Sequence, residues 1–345
     1  MIMKKTFLLL AILGIGYFTT NACTRVAYKG EDNLILTARS MDWKEDIKSN
    51  IWVFPRGMDR DGAVGPNSLK WKSKYGSVIT SAYDISSTDG INEKGLVANL
   101  LWLAESEYPT WNQKTPGLTI AAWVQYVLDS FATVDEAVKA LEKQTFEIVS
   151  DKMPDGSRMA TLHLSISDAL GDNAIFEYIG GKLVIHHDKS YQVMTNSPIF
   201  DKQLALNEYW KEIGGTVMLP GTNRAADRFV RASFYTNAIP KTSDTRIGVA
   251  SVFSVIRNCS VPFGISTPDQ PNISSTRWRT VSDHKNLVYF YESVLTPNTF
   301  WLELKDIDFS ENAPVKKLNL ENNETYKGNA ASSLVNATPF VFAGI

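Results

Sequence analysis

The chain has 345 residues, of which 21% are charged and 44% are apolar, and its formal net charge is −2. This balance is typical of a soluble globular protein with one large or two small domains, and it gives no indication of a nucleic-acid partner. After residue 22 no apolar run approaches the length of a membrane span, so we expect no stable membrane insertion of the folded part.

The first 22 residues have the pattern of a secretory signal peptide. Two lysines precede an apolar stretch at residues 7–18, which is too short to span a bilayer. Thr20 and Ala22 are small residues at the −3 and −1 positions of a cleavage site. The sequence therefore predicts a signal peptide over residues 1–22 and export of the protein to the periplasm or the extracellular space.

Cleavage before Cys23 would place a thiol and a free α-amine on the same residue. A terminal amine titrates near pH ~8, so an unprotonated fraction is present at neutral pH and can act as a base. A thiol beside its own base is the cysteine counterpart of the N-terminal threonine nucleophiles. Two alternatives remain open: Cys23 could be acylated as a lipoprotein anchor, although Thr20-Asn21-Ala22 fits a lipobox poorly, or it could simply be an apolar residue that opens a strand.

The second cysteine of the chain is Cys259. In an exported protein it could form a disulfide with Cys23, but a chain of this size does not need a disulfide for stability, and we expect Cys259 to be dispensable. The histidines are His163, His186, His187 and His284. Their spacing matches no metal-ligand motif, so we predict no metal and no other cofactor.

Strand patterns dominate the first hundred residues of the mature chain. Predicted strands lie at residues 24–28, 34–38, 51–54, 77–81 and 96–103. Turn residues at 30–33 join the first two strands into a β-hairpin, and further turns are predicted at Asp89-Gly90 and at Glu93-Lys94-Gly95. The last of these strands is almost wholly apolar, which is typical of a buried strand.

Two helices follow, and strands and helices then share the rest of the chain. Residues 118–130 carry an apolar stripe at helical spacing, and Thr133 and Glu136 form a capping box that opens a second helix. Later strands are predicted at residues 162–168, 174–178, 183–187, 191–195, 287–291 and 299–304, and later helices at 225–238 and 249–257.

This order of elements has no regular βαβ alternation. It favours antiparallel sheets covered by helices over a parallel α/β fold. No repeat, low-complexity segment or Pro-rich linker divides the chain, so we predict a single domain over residues 23–345.

An N-terminal thiol needs groups that orient its amine, a nearby positive charge and donors for a developing oxyanion. The predicted hairpin brings Arg39 and Asp42, at the end of its second strand, back beside Cys23. The alternative interpretation of Arg39 and Asp42 is an ion pair at a strand end. Asn196, in a turn-like segment, and Arg228, on a predicted helix, are further candidates, but each alone is a common feature.

Together and in this order, these segments resemble the choloylglycine hydrolase family, which holds bile salt hydrolases and penicillin V acylases within the N-terminal-nucleophile hydrolases. The resemblance implies an α+β fold, a four-layer αββα sandwich of two antiparallel sheets covered by helices. It also implies a cysteine amidohydrolase that cleaves linear C–N amide bonds through an acyl-enzyme, without a cofactor. The matching segments are Cys23-Thr24, Arg39-Ser40-Met41-Asp42, Asn92-Glu93-Lys94-Gly95-Leu96, Thr195-Asn196-Ser197-Pro198 and Arg228-Phe229.

The resemblance also implies a role for each of these candidates. The Cys23 thiolate would attack the amide carbonyl while its α-amine carries the proton, and Asp42 would accept a hydrogen bond from that amine. Arg39 and Arg228 would flank the thiol and favour negative charge there. Asn196 would donate its side-chain N–H to the oxyanion.

Trp102 marks a departure from the bile salt hydrolases, which carry Asn at the position reached by counting from the shared Asn-Glu-Lys-Gly block. The family uses the backbone N–H of this residue as the second oxyanion donor, so tryptophan keeps the donor and makes the pocket wall aromatic. The alternative is that Trp102 is a core tryptophan at a strand end.

For the substrate, we expect glycine- or taurine-conjugated bile salts first, penicillin V as the close alternative, and an acyl-homoserine lactone third. Loops after Asp42, after Trp102 and at 152–154 are expected to line the pocket. The stretch between Asn196 and Arg228 is shorter than the assembly loop of well-known members, which leaves a homo-oligomer open. A lipid-anchored surface binding protein, acylated at Cys23, is the alternative of a different class.

Overall fold

A computed structural model describes residues 23–156, 158–214, 217–268, 273–296, 298–322 and 324–345, so the predicted signal peptide lies outside the described residues. The strands are β1 (Thr24–Lys29), β2 (Ile35–Trp43), β3 (Ile51–Phe54), β4 (Asp59–Asp61), β5 (Lys70–Lys72), β6 (Ser77–Ala82), β7 (Ser86–Asn92), β8 (Val97–Trp102), β9 (Gly117–Thr119), β10 (Glu147–Val149), β11 (Leu162–Ser167), β12 (Asn173–Ile179), β13 (Lys182–His187), β14 (Val193–Thr195), β15 (Ser275–Asp283), β16 (Val288–Ser293), β17 (Thr299–Glu303), β18 (Lys316–Leu318), β19 (Gly328–Asn329) and β20 (Val335–Asn336). The α-helices are α1 (Trp123–Ser130), α2 (Val134–Leu141), α3 (Phe200–Ile213), α4 (Ala225–Ala238) and α5 (Thr245–Asn258).

In the parts of the chain that are described, most strands belong to two large sheets. The seven-stranded sheet has the order β14-β1-β2-β15-β16-β17-β19, and the nine-stranded sheet has the order β13-β12-β11-β8-β7-β6-β3-β18-β20. Neighbouring strands in both sheets are antiparallel apart from the parallel pair β17 and β19. The prediction of antiparallel sheets is therefore confirmed.

Helices cover the outer face of each sheet. Helices α4 and α5 pack on β1, β2 and β15 of the seven-stranded sheet, whereas α1 and α2 pack on β7, β8 and β12 of the nine-stranded sheet. One buried apolar cluster joins both sheets to α4 and α5, and a second joins the nine-stranded sheet to α1 and α2. The layers are thus helix, sheet, sheet, helix, as the predicted αββα sandwich requires. None of the helices in the described ranges is long and apolar enough to cross a bilayer.

The helical patterns of the middle segment form the elements expected from their apolar spacing, with one shift. The hydroxyl of Thr133 accepts a hydrogen bond from the N–H of Glu136 at 3.2 Å, so α2 begins with the predicted cap. The predicted helix over residues 118–130 is shorter than expected, because α1 begins only at Trp123. Residues 117–119 instead form β9, which pairs in parallel with β10, and a 3₁₀ turn connects β9 to α1.

Other elements also differ from the prediction. Strand β15 and helix α3 were not predicted: β15 is rich in polar residues, and α3 buries only Phe200, Gln203 and Asn207, so its apolar period is weak. The predicted turn at Asp89-Gly90 is wrong, because both residues lie within β7. Glycine is required there for space: a Cβ on Gly90 would lie 2.6 Å from the carbonyl oxygen of Val78.

We expect Gly90→Ala to destabilise the protein by about 1–3 kcal/mol, because the added methyl group must displace the backbone of the neighbouring strand β6. Urea unfolding of the purified protein measures this change in the free energy of unfolding. Gly221→Ala is the control, since no atom lies within 4 Å of a Cβ built there. Equal stability of the Gly90 and Gly221 variants would contradict this account of β7.

Candidate active site

The pairing register of β1 determines what surrounds Cys23. Thr24 is paired with Thr195 of β14 on one side and with Ser40 of β2 on the other. Cys23 precedes Thr24, so it lies beside Asn196, the residue that follows Thr195 in the antiparallel neighbour. The first hairpin and a segment more than 150 residues further along the chain therefore meet at one end of β1.

Cys23 is 3% exposed, and both its polar groups have close neighbours. Its backbone N–H donates to Oδ1 of Asn196. The backbone N–H of Asp42 donates to the Cys23 sulfur at 3.5 Å. The side-chain amide of Asn196 also donates through Nδ2 to the carbonyl of Trp102, at 2.7 Å. Since Trp102 ends β8 of the other large sheet, Asn196 joins the two sheets at the position of the thiol.

Arg228 approaches Cys23 from the helix side. It lies on α4 and is fully buried. One terminal nitrogen donates to the carbonyl of Cys23 at 2.7 Å and also to the hydroxyl of Thr24. The other donates to Oδ1 of Asn196 at 3.1 Å. A guanidinium group therefore holds the backbone of Cys23 and the side chain of Asn196 together.

The side chain of Asp42 points from β2 toward Arg228 of α4, and its carboxylate is buried. Oδ1 accepts a hydrogen bond from the hydroxyl of Thr276 at 2.5 Å, and Oδ2 is 3.9 Å from the nearer nitrogen of Arg228. Burial raises the pKa of Asp42 to about 6, although Arg228 and Thr276 both act to lower it. Thr276 was not predicted as a site residue, because β15, on which it lies, has no clear strand pattern.

Arg39 lies on the opposite face of β2 from Asp42, since residues three apart in a strand point to opposite faces. It extends between the sheets, where it donates to the carbonyls of Thr88 at 2.5 Å and Leu100 at 2.8 Å. Its guanidinium is also 3.9 Å from the carboxylate of Asp89. The two residues that the hairpin was predicted to bring beside Cys23 thus approach it from different sides.

The charges around Cys23 act on its thiol in opposite directions. Burial raises the pKa of the Cys23 thiol, the guanidinium of Arg39 lowers it, and the carboxylate of Asp42 raises it. The N–H of Asp42 and the charge of Arg228 lower it as well, but the net direction is upward. The thiol in this structure is therefore protonated at neutral pH, and it needs a base to become a nucleophile.

A cavity of about 120 Å³ lies between the sheets beside Cys23. Its walls are largely apolar, and the loops predicted to line it contribute residues: Trp43 follows Asp42, Trp102 ends β8, and residues 152–154 close one side. The rings of Trp43 and Trp102 are 5.8 Å apart, and both residues are almost fully buried. Trp102 is thus part of the core and part of the cavity wall at once.

Gln203 supports Asn196 from the first turn of α3 and was missed by the sequence analysis. Its side-chain NH₂ donates to the carbonyl of Asn196 and to that of Pro198 at 2.5 Å. Its side-chain oxygen accepts from the hydroxyl of Thr195 at 3.0 Å. All polar positions of this buried amide are therefore used to hold the segment that carries Asn196.

Glu177 holds the beginning of α3 from the nine-stranded sheet. The N–H of Phe200 donates to both carboxylate oxygens of Glu177, at 3.1 and 3.2 Å. Burial by itself raises the pKa of Glu177, but contacts with His163 and His186 and the Phe200 N–H bring it down to about 2. An ionised carboxylate therefore caps α3, which places Gln203 and, through it, Asn196.

Cys23 and Cys259 are both free and buried, so a disulfide between them is not formed. Among the residues that the structure describes, no group of three or more His, Cys, Asp or Glu side chains is arranged to hold a metal ion.

Comparison with known proteins gives one consistent result. The profile of the linear amide C–N hydrolases, choloylglycine hydrolase family, matches residues 23–317. The penicillin V acylase of Pectobacterium atrosepticum is 55% identical, over 97% of this chain and 96% of that protein. The solved structure of penicillin V acylase from Agrobacterium tumefaciens is 64% identical, covers 94% of this chain and 100% of its own, and superposes with a TM-score of 0.88. The bile salt hydrolase/transferase of Clostridium perfringens is 27% identical, over 90% of this chain and 98% of that protein.

We expect Gln203→Leu to lower kcat for amide hydrolysis by roughly 10–100-fold with a smaller change in KM, because two buried carbonyls lose their donor and Asn196 loses its support. Steady-state kinetics, with thermal unfolding of the same samples, separates this effect from loss of fold.

Asn207→Ala is the matched control for Gln203→Leu, since Asn207 lies one turn further along the same buried face of α3. Similar kcat losses in both variants, or a kcat for Gln203→Leu equal to the wild-type value, would contradict the positioning role of Gln203.

Proposed function

The chain belongs to the choloylglycine hydrolase family of linear amide C–N hydrolases, and on that premise we propose that it is an acylase of the penicillin V type. It cleaves the amide bond between a compact aromatic acyl group and an amine, and its first residue after processing, Cys23, is the nucleophile. Proteins named penicillin V acylase are 55% and 64% identical to it, whereas the bile salt hydrolase/transferase is 27% identical.

The observation that carries the substrate proposal is the small apolar cavity beside the Cys23 sulfur. Its volume is about 120 Å³, and aromatic side chains form part of its wall. An apolar cavity of about 150 Å³ is sufficient to hold a benzene molecule. The phenyl ring of a phenoxyacetyl group matches this space, whereas the four fused rings of a bile acid are much larger. This comparison favours penicillin V over the bile salts expected from the sequence, which remain the alternative substrate.

The proposed reaction begins after residues 1–22 have been removed, when the α-amine of Cys23 is free. The amine takes the thiol proton as the sulfur bonds to the amide carbon, and it then gives the proton to the departing nitrogen. The C–N bond breaks, which leaves a thioester on Cys23 and releases the amine product. Water, deprotonated by the same amine, attacks the thioester carbon; the C–S bond breaks, the carboxylic acid is released, and the amine returns its proton to the sulfur. The raised pKa of the thiol agrees with this sequence, because a protonated thiol needs that base.

The positions of the other site residues indicate their roles in the reaction. The side-chain NH₂ of Asn196 and the backbone N–H of Trp102 stabilise the oxyanion, and they come from different sheets. The carboxylate of Asp42 holds the protonated amine. Arg228 holds the carbonyl of Cys23 at 2.7 Å, so the α-amine and the sulfur keep their orientation during the reaction. Arg39 reduces the cost of thiolate formation from the cavity side.

We expect residues 23–345, released from an N-terminal fusion so that Cys23 comes first, to hydrolyse penicillin V faster than glycine- or taurine-conjugated bile salts. Release of the primary amine with fluorescamine measures all three substrates in one assay. Cys23→Ser should lower the rate by more than about 10³-fold, whereas Cys259→Ala should keep the wild-type rate.

Three results would contradict the proposed function. Faster release from bile salts would show that the protein is a bile salt hydrolase. Retained activity of Cys23→Ser would show that Cys23 is not the nucleophile. The third is a diacylglyceryl adduct on Cys23, found by mass spectrometry of protein expressed with its own residues 1–22. That adduct would support the lipid-anchored alternative, and its absence agrees with the proposed export by signal-peptide cleavage.

For Asp42 we expect an acidic limb in the pH–rate profile. Its pKa of about 6 means that the carboxyl group becomes protonated, and loses its hold on the ammonium, as the pH falls through 6. The value of kcat/KM for the wild-type protein should therefore fall below pH 6. Asp42→Asn should lower kcat and remove the decline centred near pH 6, so that only the decline caused by protonation of the α-amine base remains, and an Asp42→Asn profile of wild-type shape would mean that the carboxylate only supports the fold.

A further inference from the structure

Arg158 lies over the rings of two tryptophans that line the cavity. Its guanidinium carbon lies 3.9 Å from the ring centroid of Trp102 and 6.0 Å from that of Trp43. Trp102 is 5% exposed and Trp43 is 8% exposed, whereas Arg158 is only half-buried. The guanidinium is therefore stacked on Trp102, which lines the cavity, and it is partly open to solvent.

A hydrogen bond and an ion pair hold the loop that carries Arg158. The carbonyl of Arg158 accepts a hydrogen bond from the N–H of Met153 at 2.8 Å, and Met153 lines the cavity. On the same loop, the carboxylate of Asp155 pairs with Lys44 at 2.9 Å, and Lys44 directly follows Trp43. The loop of Arg158 is thus held both to Met153, which lines the cavity, and to the residue that follows Trp43.

The chemical groups of the substrate determine which of them the Arg158 guanidinium would contact. If the acyl group fills the cavity, the amine half of the substrate extends through its open side, the mouth, and Arg158 is a partly exposed cation beside the cavity wall. In penicillin V that half carries a carboxylate. A guanidinium stacked on an indole keeps its plane against the ring and presents its N–H donors at the edge, which is the geometry that binds a carboxylate.

Partial burial makes the guanidinium a better partner for such a carboxylate. Burial lowers the pKa of Arg158 and the nearby Asp155 raises it, while the group stays a cation at neutral pH. Charge-assisted hydrogen bonds gain strength where water is partly excluded.

We propose that Arg158, stacked on Trp102, forms a carboxylate-binding subsite for the amine half of the substrate. The subsite makes the enzyme prefer amides whose leaving amine is an amino acid or another acid over amides of neutral amines. This inference rests on the proposed acylase function, because it assigns the acyl group to the cavity and the amine to the mouth.

The test compares two substrates that share one acyl group. Penicillin V carries a carboxylate on its amine half, and phenoxyacetanilide does not. We expect Arg158→Gln to raise KM for penicillin V about 10-fold, with kcat within about 3-fold, and to leave KM for phenoxyacetanilide within about 2-fold. Arg158→Lys, which keeps the charge, should recover part of the loss.

Arg257→Gln is the matched control. Arg257 also lies over an aromatic ring, 5.0 Å from the centroid of Phe253, but it is on α5, and Phe253, unlike Trp102, does not line the cavity. Arg257→Gln should leave the KM values for penicillin V and for phenoxyacetanilide unchanged. Equal changes for the two substrates in Arg158→Gln would show that Arg158 only packs on Trp102, and an unchanged KM for penicillin V would also overturn the subsite.

A binding measurement separates failure of the subsite from failure of the proposed function. In a Cys23→Ala background, calorimetry gives the dissociation constants of penicillin V and phenoxyacetanilide without turnover. We expect Arg158→Gln to weaken only the binding of penicillin V, by about 10-fold. Absence of hydrolysis in the wild-type protein would contradict the acylase function, while equal affinities before and after the Arg158 substitution would contradict the subsite.

Discussion

The hydrogen bond from the N–H of Cys23 to the side chain of Asn196 is the contact on which the rest of the site depends. Cys23 begins a central strand that is covered by helix α4 and buried between two neighbours, so its nitrogen is remote from water. A terminal ammonium at such a position must be compensated, because a buried unpaired charge costs several kcal/mol. In the proposed processed form, the Asn196 oxygen and the buried carboxylate of Asp42 would supply that compensation on the helix side of the sheet. The polar character of this otherwise apolar layer follows from that need.

The same asparagine also sets the distance between the sheets at the thiol. Its oxygen faces Cys23 of the seven-stranded sheet, and its NH₂ group faces the carbonyl of Trp102 in the nine-stranded sheet. Sheets that pack face to face are separated by side chains, so a polar contact between their ends needs its own support. Gln203 and Glu177 provide it, because Glu177 holds the start of α3 from one sheet and Gln203 holds the chain of Asn196 on the other. Geometry at the thiol therefore depends on side chains that lie outside the cavity.

Much of the fold follows from local sequence patterns. Helix α4 has the predicted bounds, the capping box at Thr133 begins α2, and the first hairpin forms from the predicted strands. These elements are determined by contacts between residues close in the chain, which apolar periodicity and turn residues reveal. The polar strand β15 escapes such patterns, because its burial depends on pairing with β2, more than two hundred residues away. Helix α3 escapes them because only Phe200, Gln203 and Asn207 are buried where it packs on α4. The sequence wrongly predicts a turn at Gly90 for a similar reason. Glycine is needed inside this strand because the backbone of the neighbouring strand leaves no room for a side chain, and the local sequence does not show that neighbour.

By itself, the sequence determined the residue that comes first after the predicted cleavage, the hairpin that brings Asp42 back to Cys23, and the family to which the chain belongs. Tertiary structure alone decided that Arg39 approaches the thiol from the cavity face, that Thr276 holds the carboxylate of Asp42, and that the cavity beside Cys23 is small. Hairpin pairing is a short-range property and can be inferred from spacing. The volume of a cavity and the partners of a buried charge depend on how distant strands and helices pack, and no local pattern in the chain records that packing.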